Sequence, residues 1–451
     1  MRIGCLIALP VLALNACSEP DQRPPTDPSI VSLSELAIDT LRSRSYGSRI
    51  AVEEPRQHDS HDSYIASYDS NGLRVYSRVD IPSTAPPDGG YPVVIFVHGW
   101  IGIDGAPELD FYYGADNNYG QMIDAYVQAG FVVFTPGWRG HGTVKGVPAD
   151  GIEFMQAWDN GSYLSPVFYA IDILNLLDSL ATFATAKLDL DQINTVSHSQ
   201  GGDVALIALA IAGENSSVEN EFNAASIWSG TFPSRFTQLE TYWPMQKSPE
   251  AFMSGDGTWT GTPTGSNGAV NERFVFGYPA DWIETIDRDE WTWQNDTWSE
   301  PGVVDAIRFK LDQMYAAINA YVDDINDAEY QLAVGDSGFY SVLHDARVAD
   351  AMQLIGGFGA EDYLSEPLAL QHSDRDFYSF PEWNADLCQR INSSGGSCYD
   401  FEYPGTTQLL RISEHQWFSG KYTAPGFSYA IQRDIALFHG GDPADITFSK
   451  R

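Results

Sequence analysis

Ile193-Asn194-Thr195-Val196 runs directly into Ser197-His198-Ser199-Gln200-Gly201-Gly202, and a helical pattern follows. A short apolar strand, a cluster of small residues and then a helix is the setting of a sharp turn that pushes its central Ser out at the carboxyl edge of a sheet. Ser199 is therefore the candidate nucleophile. Ser197 stands where Gly is usual, and the position asks only for a small side chain. A Ser hydroxyl is weakly nucleophilic by itself: it needs a base to take its proton and an acid to orient that base. On this kind of turn the acid and then the base follow the Ser along the chain.

Pro367-Leu368-Ala369-Leu370-Gln371-His372-Ser373-Asp374-Arg375-Asp376 is an apolar strand ending in a polar loop, where an orienting acid belongs. Asp374 and Asp376 compete for the role, and either carboxylate could instead cap the next helix. The candidate base is His415, in Arg411-Ile412-Ser413-Glu414-His415-Gln416, after the last strand and before the last helix. His439 falls past the last helix pattern, as a helix-end residue favoured by the dipole. His198 and His372 read as structural. A tetrahedral intermediate needs preorganised donors for its oxyanion. One is the backbone N–H of Gln200. The other is the Trp100 amide in His98-Gly99-Trp100, whose indole could also wall an acyl pocket.

These groups need a scaffold. Residues 63–70 and 73–79 alternate around Asn71-Gly72, which is a hairpin signal. Continuous apolar runs at 93–97, 131–134, 193–196 and 224–228 fit strands covered on both faces. Helical patterns at 119–129, 167–180 and 204–211 lie between them. The alternation predicts an α/β fold with a doubly wound, mostly parallel sheet. It stops near residue 231 and resumes at 368–371, followed by a helix at 382–391, a strand at 399–403 and a helix at 426–437. Six of the twelve Trp fall between Trp243 and Trp298. This stretch, with a long helical pattern at 303–325, predicts an irregular, partly helical insertion whose aromatics either wall a substrate site or form its own core.

Composition excludes one class of partner. Sixty-one Asp and Glu against 25 Lys and Arg give a formal net charge of −36, so no nucleic acid is expected as a ligand. Only six of the basic residues are Lys, a balance that suits high ionic strength and equally an ordinary acidic exported protein. Apolar residues make up 43%, which rules out a disordered chain.

The motifs together resemble the α/β-hydrolase superfamily, and within it the prolyl-oligopeptidase and dienelactone-hydrolase-like serine hydrolases. The resemblance rests on His98-Gly99, Arg139-Gly140-His141-Gly142, the Ser199 turn with its double Gly, Asp376 and His415, and it covers roughly residues 63–231 and 366–440. It implies a Ser199–Asp376–His415 triad, with Asp376 preferred over Asp374 because it lies four residues beyond His372, as in the family's acid loop. It also implies that Arg139 is structural, that the mechanism passes through an acyl-enzyme, and that neither metal nor cofactor is required. The substrate class it implies is a small ester or a peptide or amide. The chain has no room for the β-propeller of the family's oligopeptidases, and the insertion falls where a lid commonly does. From another class, a catalytically inactive surface lipoprotein could hold polysaccharide or lipid through the Trp-rich module.

The first residues read as a secretory signal, with a basic start and an apolar stretch too short to span a bilayer. Leu14-Asn15-Ala16-Cys17 resembles a bacterial lipobox, which implies a lipid on Cys17 and membrane anchoring; Ser18 after it permits sorting to the outer membrane. Of the other cysteines, Cys5 would leave with the signal, and the remaining pair Cys388 and Cys398 predicts a disulfide in an exported chain. The expected organisation is a signal peptide (1–16), a tether and extension (17–62), the first part of the core (63–231), a lid (232–366) and the second part of the core (367–451).

Overall fold

A computed structural model describes residues 38–101, 106–111, 118–152, 165–230, 363–373, 379, 381–403 and 426–447. The expectations for Cys17, Asp374, Asp376, His415 and the Trp-rich insertion fall outside these residues.

Eleven strands and six helices lie among the described residues. In chain order they are α1 (Ile38–Ser43), β1 (Ala51–Arg56), β2 (Asp62–Ser70), β3 (Leu73–Ile81), β4 (Tyr91–Val97), α2 (Asn118–Gln128), β5 (Val132–Pro136), β6 (Thr143–Val144) and β7 (Val147–Pro148). There follow α3 (Ser165–Ser179), β8 (Leu188–His198), α4 (Gln200–Ala212), β9 (Ala224–Trp228), β10 (Leu368–Ser373), α5 (Pro381–Ser394), β11 (Cys398–Tyr403) and α6 (Phe427–Phe438). Nine strands form one sheet in the order β1-β2-β3-β5-β4-β8-β9-β10-β11, and β6 and β7 make a small separate hairpin. The pairs from β1 to β5 are antiparallel, and β5-β4-β8-β9-β10-β11 is parallel throughout.

The apolar runs are strands because both faces of the sheet are covered. Along β4, Val93, Ile95 and Val97 pack into one cluster with residues of α3 and α4, while Val94 and Phe96 enter another with residues of α2 and α6. Each such side chain contributes about 1.5–3 kcal/mol when fully buried. Two helical layers over a parallel sheet follow directly from strands that are apolar on both faces.

The β2–β3 hairpin turns at Asn71-Gly72, both at positive φ (56° and 82°), as a two-residue turn matched to strand twist requires. The sheet begins earlier than residue 63. β1 pairs with β2 ahead of it, and Ile38 and Leu41 of α1 are buried in the core beside α4 residues, so the extension from Ile38 onward packs with the sheet core. β1 reads Ala-Val-Glu-Glu-Pro-Arg, with three residues exposed and three half-buried; its charges and Pro55 suit an edge strand, which must resist pairing with another chain. A disulfide joins Cys388 on α5 to Cys398 at the start of β11. Among the described residues no helix is long and apolar enough to cross a membrane.

Candidate active site

Ser199 lies between the last residue of β8 and the first of α4, with φ 54° and ψ −123°. That is a costly conformation for a residue with a side chain, and it persists only where the surroundings enforce it. Three contacts enforce it here. The Ser199 amide donates to the Trp228 carbonyl at 3.0 Å, and the Ser199 carbonyl accepts from the Gly202 amide at 2.9 Å. The following helix is drawn hard against β4: a Cβ on Gly201 would lie 2.2 Å from the Val97 carbonyl oxygen, and one on Gly202 would lie 2.6 Å from Ile227 Cγ2. The double glycine is thus what allows α4 to start under the turn.

Two of the expected oxyanion contributors are on adjoining elements. Gln200 is the first residue of α4, where N–H groups have no intrahelical partner and the helix dipole is positive. The His98-Gly99-Trp100 turn leaves β4 next to the Ser: a Cβ on Gly99 would stand 3.2 Å from Ser199 Cβ. The Gly99 amide is already committed, donating to Tyr119 Oη at 3.0 Å. The Trp100 side chain is 57% exposed, so its indole is open to solvent beside the turn.

Tyr119, in the first turn of α2, was not anticipated from sequence. Its hydroxyl also hydrogen-bonds His198 Nδ1 at 2.6 Å, which ties α2, the β4 turn and the residue before Ser199 together. Nothing marks it in the sequence except its place at the head of a helical pattern.

The other histidines have structural settings. His198 is buried and held by Tyr119. His372 is buried at the end of β10, with Nε2 2.7 Å from Asp400 Oδ1. His439 caps the C-terminus of α6. Burial pushes His98 down to about 4 and His141 to about 3, so both stay neutral and are poorly suited to proton transfer near neutrality. His98 stacks on Trp138, which stacks in turn on Tyr169 of α3. Arg139 is a structural clamp: its guanidinium meets Asp172 of α3 at 2.7 Å, its amide donates to the same carboxylate, and Ser70 of β2 donates to it too.

The strands bring their carboxyl ends to one edge. His198 pairs with Trp228 and Trp228 with Gln371 in parallel register; Ser373 pairs with Tyr403. β8 and β10 are two strand spacings apart, about 10 Å. The chain therefore leaves toward residues 374–378 and 404–425 from the same edge that carries Ser199.

Residues 92–242 match the family described as alpha/beta hydrolase fold. No curated protein matches the sequence. Similar solved structures include an acetyl xylan esterase from Thermoanaerobacterium sp. JW/SL YS485, at 13% identity, with a TM-score of 0.44, over 82% of this chain and 86% of that one. Candida antarctica lipase A in its closed state is similar at 15% identity, with a TM-score of 0.44, over 87% and 83%. Pyrococcus horikoshii acylaminoacyl peptidase is similar at 12% identity, with a TM-score of 0.46, over 87% of this chain and 45% of that one. By strand order, crossovers and the Ser-bearing turn, the chain has the alpha/beta hydrolase fold.

Proposed function

We propose that the protein is an exported serine hydrolase that cleaves an ester or a peptide or amide bond through an acyl-enzyme, with a catalytic domain of the prolyl-oligopeptidase type. The observation that carries this reading is the backbone of Ser199, held at φ 54° on a strand-to-helix turn by glycines that admit no Cβ. Strain of that kind clusters at functional sites, and on a strand-to-helix turn it is the setting of an exposed nucleophile.

In this reading Ser199 Oγ attacks the acyl carbon while His415 takes its proton, and His415 then returns that proton to the leaving alcohol or amine. Asp376 holds the imidazole in the required tautomer. The Gln200 and Trp100 amides receive the negative oxygen; each such donor is worth about 3–4 kcal/mol in the transition state. Water then repeats the sequence on the acyl-enzyme and restores Ser199. The common carboxyl edge of β8, β10 and β11 supports this triad, because an acid after β10 and a base after β11 both start within reach of the turn.

Residues 232–366 act as a lid in this reading. They follow β9, whose carboxyl end lies at the edge that carries Ser199, and their Trp side chains would bind bulky acyl or leaving groups and exclude water. Lipid on Cys17 anchors the mature chain to a membrane, and an acylated N-terminal peptide in membrane-fraction mass spectrometry tests that part alone. A matched panel of acyl esters and aminoacyl amides tests the activity. Turnover of at least one class, abolished by Ser199→Ala, is expected; no turnover of any member by folded protein would favour a binding lipoprotein.

A further inference from the structure

We propose that His58, His61 and Asp124 form a zinc site that clips the β1–β2 connection to helix α2. One ligand atom from each of the three lies within 4.8 Å of those from the other two. Ligands held at about 2.1 Å by a tetrahedral ion stand about 3.4 Å apart, so closing the site requires a small contraction of side chains.

The protonation pattern suits a metal. His61 Nε2 lies 2.9 Å from Asp80 Oδ1, and Asp80 is buried and engaged by the Arg78 guanidinium through both carboxylate oxygens. A carboxylate already paired with Arg accepts hydrogen bonds, so His61 carries its proton on Nε2 and turns the Nδ1 lone pair the other way, toward the Ser60 hydroxyl 3.1 Å off, which an ion would displace. Carboxylate, imidazole and metal in that sequence is how proteins fix the tautomer of a ligating His.

A second observation concerns Asp124. Its Oδ1 is buried and has no hydrogen-bond partner among the described residues, although His58 Nε2 is 3.3 Å away. A buried carboxylate oxygen facing an imidazole nitrogen without a hydrogen bond is costly, and an ion between them removes that cost. The two imidazoles stack with ring centroids 3.7 Å apart, so one ring must tilt out of the stack before both nitrogens meet one ion. His58 and Asp124 keep side-chain exposures of 18% and 21%, which leaves a path for an ion from solvent. Two imidazoles and one carboxylate are borderline donors; they suit zinc better than calcium, which prefers six to eight oxygens. Three protein ligands leave the fourth position to water.

The site uses none of the proposed catalytic residues, yet its helix reaches them. Asp124 is five residues, about 7.5 Å of helix rise, beyond Tyr119, whose hydroxyl holds Gly99 and His198. Zinc here would brace the helix that braces the turn.

The test uses the whole chain, stripped with a chelator and titrated calorimetrically with zinc chloride, with calcium chloride as the comparison. One zinc per chain is expected, with micromolar or tighter affinity, unaffected by millimolar calcium and weakened at least tenfold in His58→Ala and in Asp124→Asn. Zinc should raise the thermal midpoint of the unsubstituted protein and leave those of the variants unmoved, with all midpoints similar in chelator. Absence of zinc binding by the unsubstituted chain overturns the proposal whatever the variants do. So does zinc binding that survives both substitutions, which would put the ion elsewhere on the acidic surface.

Discussion

Gly201 and Val97 approach so closely that a Cβ on the glycine would lie 2.2 Å from the valine carbonyl oxygen, and 2.4 Å from that of His98. Both obstacles are backbone in a central strand and its turn, so neither can swing aside. This contact fixes how far α4 slides under β4, and so where Ser199 projects. Gly201→Ala should lower stability by about 1–3 kcal/mol, the usual cost of overpacking. Turnover should fall far more than stability does, because a 1 Å shift of a reacting group alone costs about 100-fold. Thermal unfolding and turnover on one ester or amide substrate, measured together, check this.

The acid of the triad is expected to be Asp376. Asp376→Asn should reduce kcat by about 10⁴, as loss of the orienting carboxylate does in such triads, while Asp374→Asn leaves kcat within a few-fold. Steady-state kinetics of the two variants decide it, and the reverse ranking transfers the role to Asp374.

Asp434 on α6 gives the fold a pH signature. Burial pushes its carboxyl up to about 7, against hydrogen bonds that act the other way; Tyr126 donates to it at 2.6 Å and the Trp228 indole at 2.8 Å. A raised carboxyl pKa means the folded state holds a proton that the unfolded chain releases near pH 4. The contribution of Asp434 is then most favourable below pH 4 and declines as pH rises to about 7, after which it is flat. Urea unfolding from pH 4 to 8, compared between the unsubstituted protein and Asp434→Asn, should show this decline in the first and not in the second.

Arg139 and Asp172 form a fully buried ion pair. Arg139→Met would strand the carboxylate and should cost about 3–5 kcal/mol. Adding Asp172→Asn should recover part of that loss. Equilibrium urea unfolding of the single and double variants measures both, and full additivity would contradict the coupling.

The α/β architecture was legible because β4, β5, β8 and β9 are continuous apolar runs separated by helical periods, a pattern with one physical meaning when both faces of a sheet are covered. β1 was not legible: an edge strand guarded by Glu53, Glu54, Pro55 and Arg56 shows no alternation. At the site, the small residues around Ser199 announced the turn, since they answer a local steric demand. Tyr119 and the His58–His61–Asp124 cluster gave no signal, because each depends on chain segments brought together only by packing. Asp124 is more than sixty positions from His61, and no spacing rule spans that distance.

The proposed function requires Ser199 to be an activated nucleophile. Only a hydroxyl with a base in reach reacts readily with a fluorophosphonate, so intact-mass analysis after labelling tests it directly. One adduct per chain is expected, mapped to the peptide bearing Ser199 and absent from folded Ser199→Ala. An adduct that persists in that variant, or folded unsubstituted protein that takes up no label, would contradict it.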